Sequence, residues 1–221
     1  MSTVLQISDT HFGTERADAV DAVVRLAHEV APDLVILSGD ITQRARRHEF
    51  AAARAFADRL PVPLLAIPGN HDIPLFNLIA RIGYPFAGYQ RCFGDELEPV
   101  FSNDDLLVIG VNTARPERHE DGEVDPNQIR HVSKRLRRAT RKQLRIVVTH
   151  QPVQVTLAED EENLLIGHAA AVHEWSRAGV DLMLGGHIHL PYVRPLRERH
   201  PTLQRDAWVV QAGTAVSSRV R

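Results

Sequence analysis

Leu64-Leu65-Ala66-Ile67-Pro68-Gly69-Asn70-His71-Asp72 is the stretch on which the fold turns. Its first four residues form a short apolar run preceded by Pro61 and Pro63, the pattern of a buried strand. Gly69 frees the backbone to turn sharply. Asn70 and His71 then offer a carbonyl oxygen and an imidazole beyond the strand end. Four other apolar runs close in the same way: residues 3–7 lead to Asp9 and His11, 34–37 to Asp40, 146–149 to His150, and 181–184 to His187 and His189. A recurrence of this kind points to one cause.

Working outward, Val20, Val23, Val24, Ala27 and Val30 keep helical spacing, predicting a helix over 16–30 that Pro32 stops. Phe50, Ala53, Ala57 and Leu60 predict a second over 46–60. Strand, helix, strand, helix and strand thus alternate up to residue 72, which predicts right-handed crossovers and a parallel sheet. Pro74, Gly83, Pro85, Gly88 and Gly94 break residues 73–102 into short helices and loops. Further on, strands are expected at 106–111 and 207–211 and helices at 127–140 and 169–177, the latter capped by Gly179. Residues 113–126 read as an exposed loop, and 154–166 show no usable period.

The 221 residues suit one domain over 1–221 with a sizeable core. Hydrophobic residues at 43% and charged residues at 24% are ordinary for a globular protein, and a net charge of -2 supplies no global attraction to nucleic acid or membrane. The single cysteine, Cys92, excludes an internal disulfide and fits a reducing, cytoplasmic setting. No signal-peptide pattern is visible, and no apolar run approaches the ~20 residues of a membrane span.

In open α/β sheets the carboxyl ends of strands gather along one edge, where ligands bind. Asp-x-His and His-x-His suit a chain leaving a strand, because residues two apart point the same way. The strand ends supply two Asp (Asp9, Asp40), one Asn (Asn70) and four His (His11, His150, His187, His189). That is more than one tetrahedral zinc takes and fits two ions sharing a carboxylate. Imidazole and carboxylate without thiolate favour Mn, Fe, Zn, Co or Ni over Ca or Mg. Such ion pairs, about 3.5–4 Å apart, clamp the attacking and leaving oxygens of an in-line phosphoryl displacement.

Asp9-x-His11, Gly39-Asp40, Gly69-Asn70-His71-Asp72, His150 and Gly186-His187-x-His189 resemble, in order, the five blocks of the calcineurin-like metallophosphoesterases. The resemblance implies an α/β four-layer αββα sandwich of two mixed sheets flanked by helices. It implies two transition-metal ions (Mn, Fe or Zn), with Asp9, His11 and His189 holding the first, Asn70, His150 and His187 the second, and Asp40 bridging. His71 would contact the phosphate and protonate the leaving oxygen, and Asn70, His11 and His189 would also face the substrate. A metal-bridging hydroxide would attack in line. Asp72 is expected to face elsewhere, as a cap.

Gly-Asn-His-Asp, Gly39-Asp40-Ile41-Thr42 and the segment Asn112-Thr113, Asp121-Gly122, Gln128 are similar to the class III cyclic nucleotide phosphodiesterase branch. The implied activity is a phosphodiesterase on small phosphodiesters, 3',5'-cyclic nucleotides included. A phosphomonoesterase, a DNA nuclease and a non-catalytic scaffold on this fold are the alternatives. Relatives continue beyond the equivalent of Gly213-Thr214 with further strands, so the chain is either short or a fragment, and the dimer contacts built there would be missing.

Other features read as ordinary structure. The eight Lys/Arg of residues 130–145 form a solvated helix face, which disfavours a nucleic-acid partner. Arg44, Arg46 and Arg47 suit either phosphate steering or a solvent-facing helix. Trp175 and Trp208 belong in the core, and His28, His48, His119, His131, His168, His173 and His200 on the surface or at helix ends.

Overall fold

The computed structural model describes residues 2–220. The first third of the chain gives β1 (Val4–Ile7), α1 (Ala17–Val30), β2 (Leu34–Ser38), α2 (Arg47–Ala57) and β3 (Leu64–Ile67), with the three strands parallel in the order β1-β2-β3. A single-turn 3-10 helix follows at Asn70–Asp72, then α3 (Leu78–Gly83) and α4 (Ala87–Phe93). The remainder supplies β4 (Val100–Ser102), β5 (Leu106–Gly110), α5 (Pro126–Arg138), β6 (Leu144–Val148), α6 (His168–Ala178), β7 (Leu182–Gly185), β8 (Tyr192–Pro195) and β9 (Trp208–Gln211). These strands form a second sheet in the order β4-β5-β6-β7-β9-β8.

Side-chain alternation sorts the molecule into four layers. Leu34, Ile36, Leu65 and Ile67 of the first sheet meet Leu106, Val108, Ile146 and Val148 of the second. Val35 and Leu37 face the other way, onto Val20, Val24, Phe50 and Phe56 of α1 and α2. Leu107, Ile109, Val147 and Met183 cover Ile129, Val132 and Leu136 of α5 and Val172 and Trp175 of α6. The αββα sandwich is therefore the architecture. Among the named strands, antiparallel pairing is confined to the second sheet, at its edge strands β4 and β8, with isolated antiparallel bridges at Glu15–Ser217 and Ala114–Gly122 outside them. The connection from Ser102 to Leu106 is too short for a crossover and forces a hairpin.

Several expectations are corrected. Residues 113–126 are anchored rather than exposed: Thr113, Ala114 and Val124 are buried, and Thr113 Oγ1 donates to Gln151 Oε1 at 2.6 Å. The partner sits 38 residues away, so local polarity gives no hint of it. Trp175 is fully buried and donates Nε1–H to Ile129 O at 3.2 Å, but Trp208 is 44% exposed on β9. The basic residues of α5 point to solvent on the outer layer, as expected.

After β9 the chain crosses back to the first sheet. Ala215 N donates to Ser8 O (3.1 Å), Arg16 N to Val216 O (2.9 Å) and Ser218 N to Thr14 O (3.1 Å), and Val216 is buried against the α1–α2 layer.

Truncating Trp175 to Ala removes the largest side chain between the second sheet and its helices. We expect a loss of about 3–5 kcal/mol in chemical denaturation.

Candidate metal centre

The loops after β1, β2, β3, β6 and β7 open along one edge of the sandwich. Five of the predicted donors hold a left-handed backbone: Asp9 (φ 51), His11 (φ 42), Asp40 (φ 48), His187 (φ 72) and His189 (φ 56). Their side chains therefore converge through tight left-handed turns, not through the two-residue alternation of an extended strand. Such conformations cost non-glycine residues about 1 kcal/mol or more each. Backbone hydrogen bonds between neighbouring loops hold them: Asp9 N to Gly39 O (3.1 Å), His11 N to Asp40 O (3.0 Å) and Gly186 N to His150 O (2.9 Å).

All seven predicted donors come together. Asp9, His11 and His189 offer ligand atoms within 4.8 Å of one another, as do Asp40, His150 and His187, and His11, Asp40 and His71. His11 Nε2 lies 3.0 Å from His189 Nε2 and 3.8 Å from Asp40 Oδ2, and His189 Nε2 lies 3.3 Å from Asp9 Oδ1. Asn70 Oδ1 sits 3.1 Å from His187 Nδ1. His150 Nε2 is 3.1 Å from Asp40 Oδ1 but outside hydrogen-bonding geometry, and this buried nitrogen has no hydrogen-bond partner. Nitrogen and oxygen donor atoms thus crowd into one buried space, where the His11–His189 and His187–Asn70 approaches are hydrogen bonds whose direction is set by the imidazole tautomer and His150 Nε2 has none, an arrangement that cations would resolve. Nitrogen and oxygen donors without sulfur fit transition-metal ions.

A surrounding set of groups fixes these donors. The His150 Nδ1–H donates to Ser38 O (2.9 Å) and the His71 Nδ1–H to Gln43 O (2.8 Å), which leaves each Nε2 facing the site. Ser8 Oγ donates to Asp9 Oδ2 at 2.6 Å, and His187 N to the same carboxylate at 3.0 Å. Asp72 does more than cap its turn. Its buried carboxylate accepts from Gly69 N, Ile41 N, Thr42 N and Thr42 Oγ1 at 2.8–3.1 Å, tying the Asp40 loop to the Asn70 loop. That role is invisible in sequence, because Ile41 and Thr42 lie some thirty residues upstream.

Gly69 is also needed for a different reason than expected. Its backbone is ordinarily extended (φ -106, ψ -176), so no turn demands glycine. A Cβ there would instead lie 2.2 Å from Asp40 N and Oδ1. Gly39 combines both demands, with φ +94 and a Cβ position 2.4 Å from His150 Nδ1.

Burial raises the Asp9 and Asp40 pKa values, but the imidazoles around them prevail: His189 and His150 hold Asp9 below its usual value, and His150 with His71 holds Asp40 well below. Burial lowers His11 and His187 to about 4, keeping both neutral, the form that binds metal. Burial also works against the His150 imidazolium, yet the charge of Asp40, with that of Asp9, lifts it to about 9. Burial and the Asp40 charge raise Asp72 to about 6.

The donors open into a 320 Å³ cleft bordered by Asp40, Asn70, His71, His187 and His189. Beyond His71 a second cavity of 220 Å³ is lined by Arg44, Arg81, His119, Glu120 and Arg219. His119, expected merely at the surface, stands at this rim, as does Arg44. Arg219 borders both spaces. No periodic or motif signal in the sequence marks Arg81, His119 or Arg219.

An αββα sandwich with buried oxygen and nitrogen donors at one edge is the arrangement of a metal-dependent hydrolase. Residues 2–191 match the calcineurin-like phosphoesterase family. The chain belongs to that family and is a hydrolase of phosphoric esters. It is 27% identical over 208 residues to a probable cyclic nucleotide phosphodiesterase of Synechococcus, covering 87% of this chain and 75% of that protein. It is 25% identical to a probable glycerophosphodiester phosphodiesterase, GpdQ, of Arcobacter nitrofigilis, covering 84% and 71%. Purple acid phosphatase PPD1 from yellow lupin seeds superimposes with a TM-score of 0.76 at 16% identity, over 98% of this chain and 44% of the lupin protein. A dimetal phosphatase from Danio rerio gives 0.73 at 16% identity, over 98% and 88%. At such identities the two structures speak for the fold.

Gly69→Ala should displace Asp40 and reduce bound metal, measured by elemental analysis, by at least half while the far-UV circular dichroism stays native. The pH dependence follows from His150. Its folded pKa of about 9 lies above the reference 6.5, so in metal-free protein its protonation adds stability that is complete below pH 6.5 and lost as pH rises through 9. A cation must displace that proton. Manganese titration at pH 7.5 in weak buffer should therefore release protons, and affinity should strengthen toward pH 9, read by calorimetry in buffers of different ionisation enthalpy.

Proposed function

We propose that this chain is a dinuclear metal-dependent phosphodiesterase acting on small soluble phosphodiesters, with 3',5'-cyclic nucleotides and glycerophosphodiesters as the candidate classes. The observation that carries the proposal is the pair of donor groups around Asp40: Asp9, His11 and His189 to one side, Asn70, His150 and His187 to the other, with Asp40 offered to both. Mn, Fe or Zn suits such a set. Two cations held there would supply Lewis-acid activation of water and neutralisation of phosphoryl charge. The activities for which the Synechococcus and Arcobacter relatives are named favour diesters over monoesters.

The protein's own groups have separate tasks. Asp40, anchored by His71 N at 2.9 Å, keeps the two donor groups in register. The Asn70 amide faces the cleft beside His187 and would hold a phosphoryl oxygen. His71, oriented through Gln43 O, presents Nε2 to the leaving oxygen and, when protonated there, would deliver that proton as the P–O bond breaks. Burial of Asp9, His11 and His150 keeps bulk water from competing for the ligand positions. A nuclease finds no support in the basic residues of α5, which occupy the outer helix layer. A scaffold is disfavoured by the retention of every donor. No helix among the described residues is long and apolar enough to cross a membrane, and the lone Cys92 suits a cytoplasmic setting.

Manganese-loaded protein should hydrolyse bis(p-nitrophenyl) phosphate faster than p-nitrophenyl phosphate; the reverse order would defeat the diesterase reading. His71→Ala should lower kcat by about 10²–10⁴-fold at unchanged metal content, and Asn70→Ala should lower both activity and metal content.

A further inference from the structure

We propose that Arg219 is a substrate-binding residue that grips the non-bridging phosphoryl oxygens on the His71 side of the cleft. The inference rests on the reading of this edge as a phosphoester site.

The observations concern how Arg219 is held and what it lacks. Residues 214–218 run across the mouth of the first sheet on a fixed track. Thr214 Oγ1 donates to Asp9 O at 2.6 Å, Thr14 Oγ1 lies 2.8 Å from Ser217 Oγ, and the three backbone bonds from Ala215, Val216 and Ser218 tie the segment to the β1–α1 loop. Buried Val216 pins its middle. The track delivers the Arg219 guanidinium to the wall shared by both cavities.

There its Nη1 meets Gln43 Oε1 at 3.1 Å and His71 Nε2 at 3.3 Å. Among the described residues it forms no ion pair with a carboxylate. A guanidinium satisfied only by a neutral amide and an imidazole lone pair retains most of its capacity for an anion, and its planar fork matches two phosphoryl oxygens. Arg44 and Arg81, which line the cavity beyond His71, likewise form no ion pair among the described residues, so on this side three guanidiniums stand against the one carboxylate of Glu120 that lines the same cavity.

The His71 contact gives the residue a second consequence. His71 Nδ1–H is committed to Gln43 O, so Nε2 is the acceptor for Arg219. An entering phosphoryl oxygen would take the guanidinium from that nitrogen, and the freed Nε2 could then accept a proton from solvent and hold it toward the leaving group. Substrate arrival and release of His71 thereby become one exchange of hydrogen-bond partners, with no bond made or broken covalently.

The test uses manganese-loaded full chain, with inorganic phosphate and bis(p-nitrophenyl) phosphate as probes. Arg219→Ala should raise the inhibition constant of phosphate and lower kcat/KM roughly ten- to hundredfold, with bound metal and the unfolding midpoint unaltered. Arg219→Lys should recover part of the loss, and added guanidinium ion part of the loss in the Ala variant. Equal phosphate inhibition in wild type and Arg219→Ala would overturn the proposal, as would a loss that tracks metal content or folding. A wild type that turns over p-nitrophenyl phosphate faster than the diester defeats the diesterase reading alone, because phosphate inhibition still reports on Arg219.

Discussion

The structure depends on keeping one carboxylate, that of Asp40, buried and fixed where several loops meet. The residue stands in a left-handed turn, accepts from His71 N, and lies within 4 Å of ring nitrogens from His11 and His150. A buried carboxylate is tolerated only with compensating charge and hydrogen bonds. His150, whose pKa the Asp40 charge raises, can supply that compensation as an imidazolium, and a bound cation would supply it in place of the proton. Much of the surrounding sequence follows from this: glycine at 39 and 69 because no Cβ fits, Asp72 to clasp the loop from behind, and Ser38 O to orient His150.

The sequence made legible whatever repeats or is local. Continuous apolar runs at β2, β5 and β6 announced strands covered on both faces, and helical spacing placed α1, α2, α5 and α6 within a few residues. The donors were visible because each ends an apolar run. Strands β4 and β8 were missed because Val100–Ser102 and Tyr192–Pro195 are short, partly exposed edges without an apolar run. Trp208 was misplaced because composition alone cannot say which face of β9 meets solvent. The groups that orient the donors were hidden for a different reason: Gln43 O, Ser38 O and the Asp72 carboxylate act across sequence gaps of about thirty residues or more, and a main-chain carbonyl leaves no trace in residue identity.

Strain and burial are concentrated at the same edge. Five donor residues in left-handed conformation and two imidazoles kept neutral by burial all work against folding there. The compensation lies elsewhere, in the dry layer between the sheets, where Leu34, Ile36, Ile67, Val108, Ile146 and Val148 are almost wholly enclosed. Close packing of that layer is what lets a rim of unfavourable turns persist.

The division of the donors between the sheets makes this layer part of the site. Asp9, His11, Asp40 and Asn70 leave strands of the first sheet; His150, His187 and His189 leave strands of the second. Each donor group draws on both, so the spacing between sheets sets the distances within it. Polar stitches reinforce that spacing at the rim: Gln6 Nε2 of β1 donates to Gly185 O of β7 at 2.9 Å and to Ser38 Oγ of β2 at 3.0 Å, and His150 reaches across to Ser38 O. A one-methylene change deep in the inter-sheet layer therefore acts on the donors without touching one of them, since packed interiors transmit displacement instead of absorbing it. Assembly of the sandwich and assembly of the site are in this sense a single event.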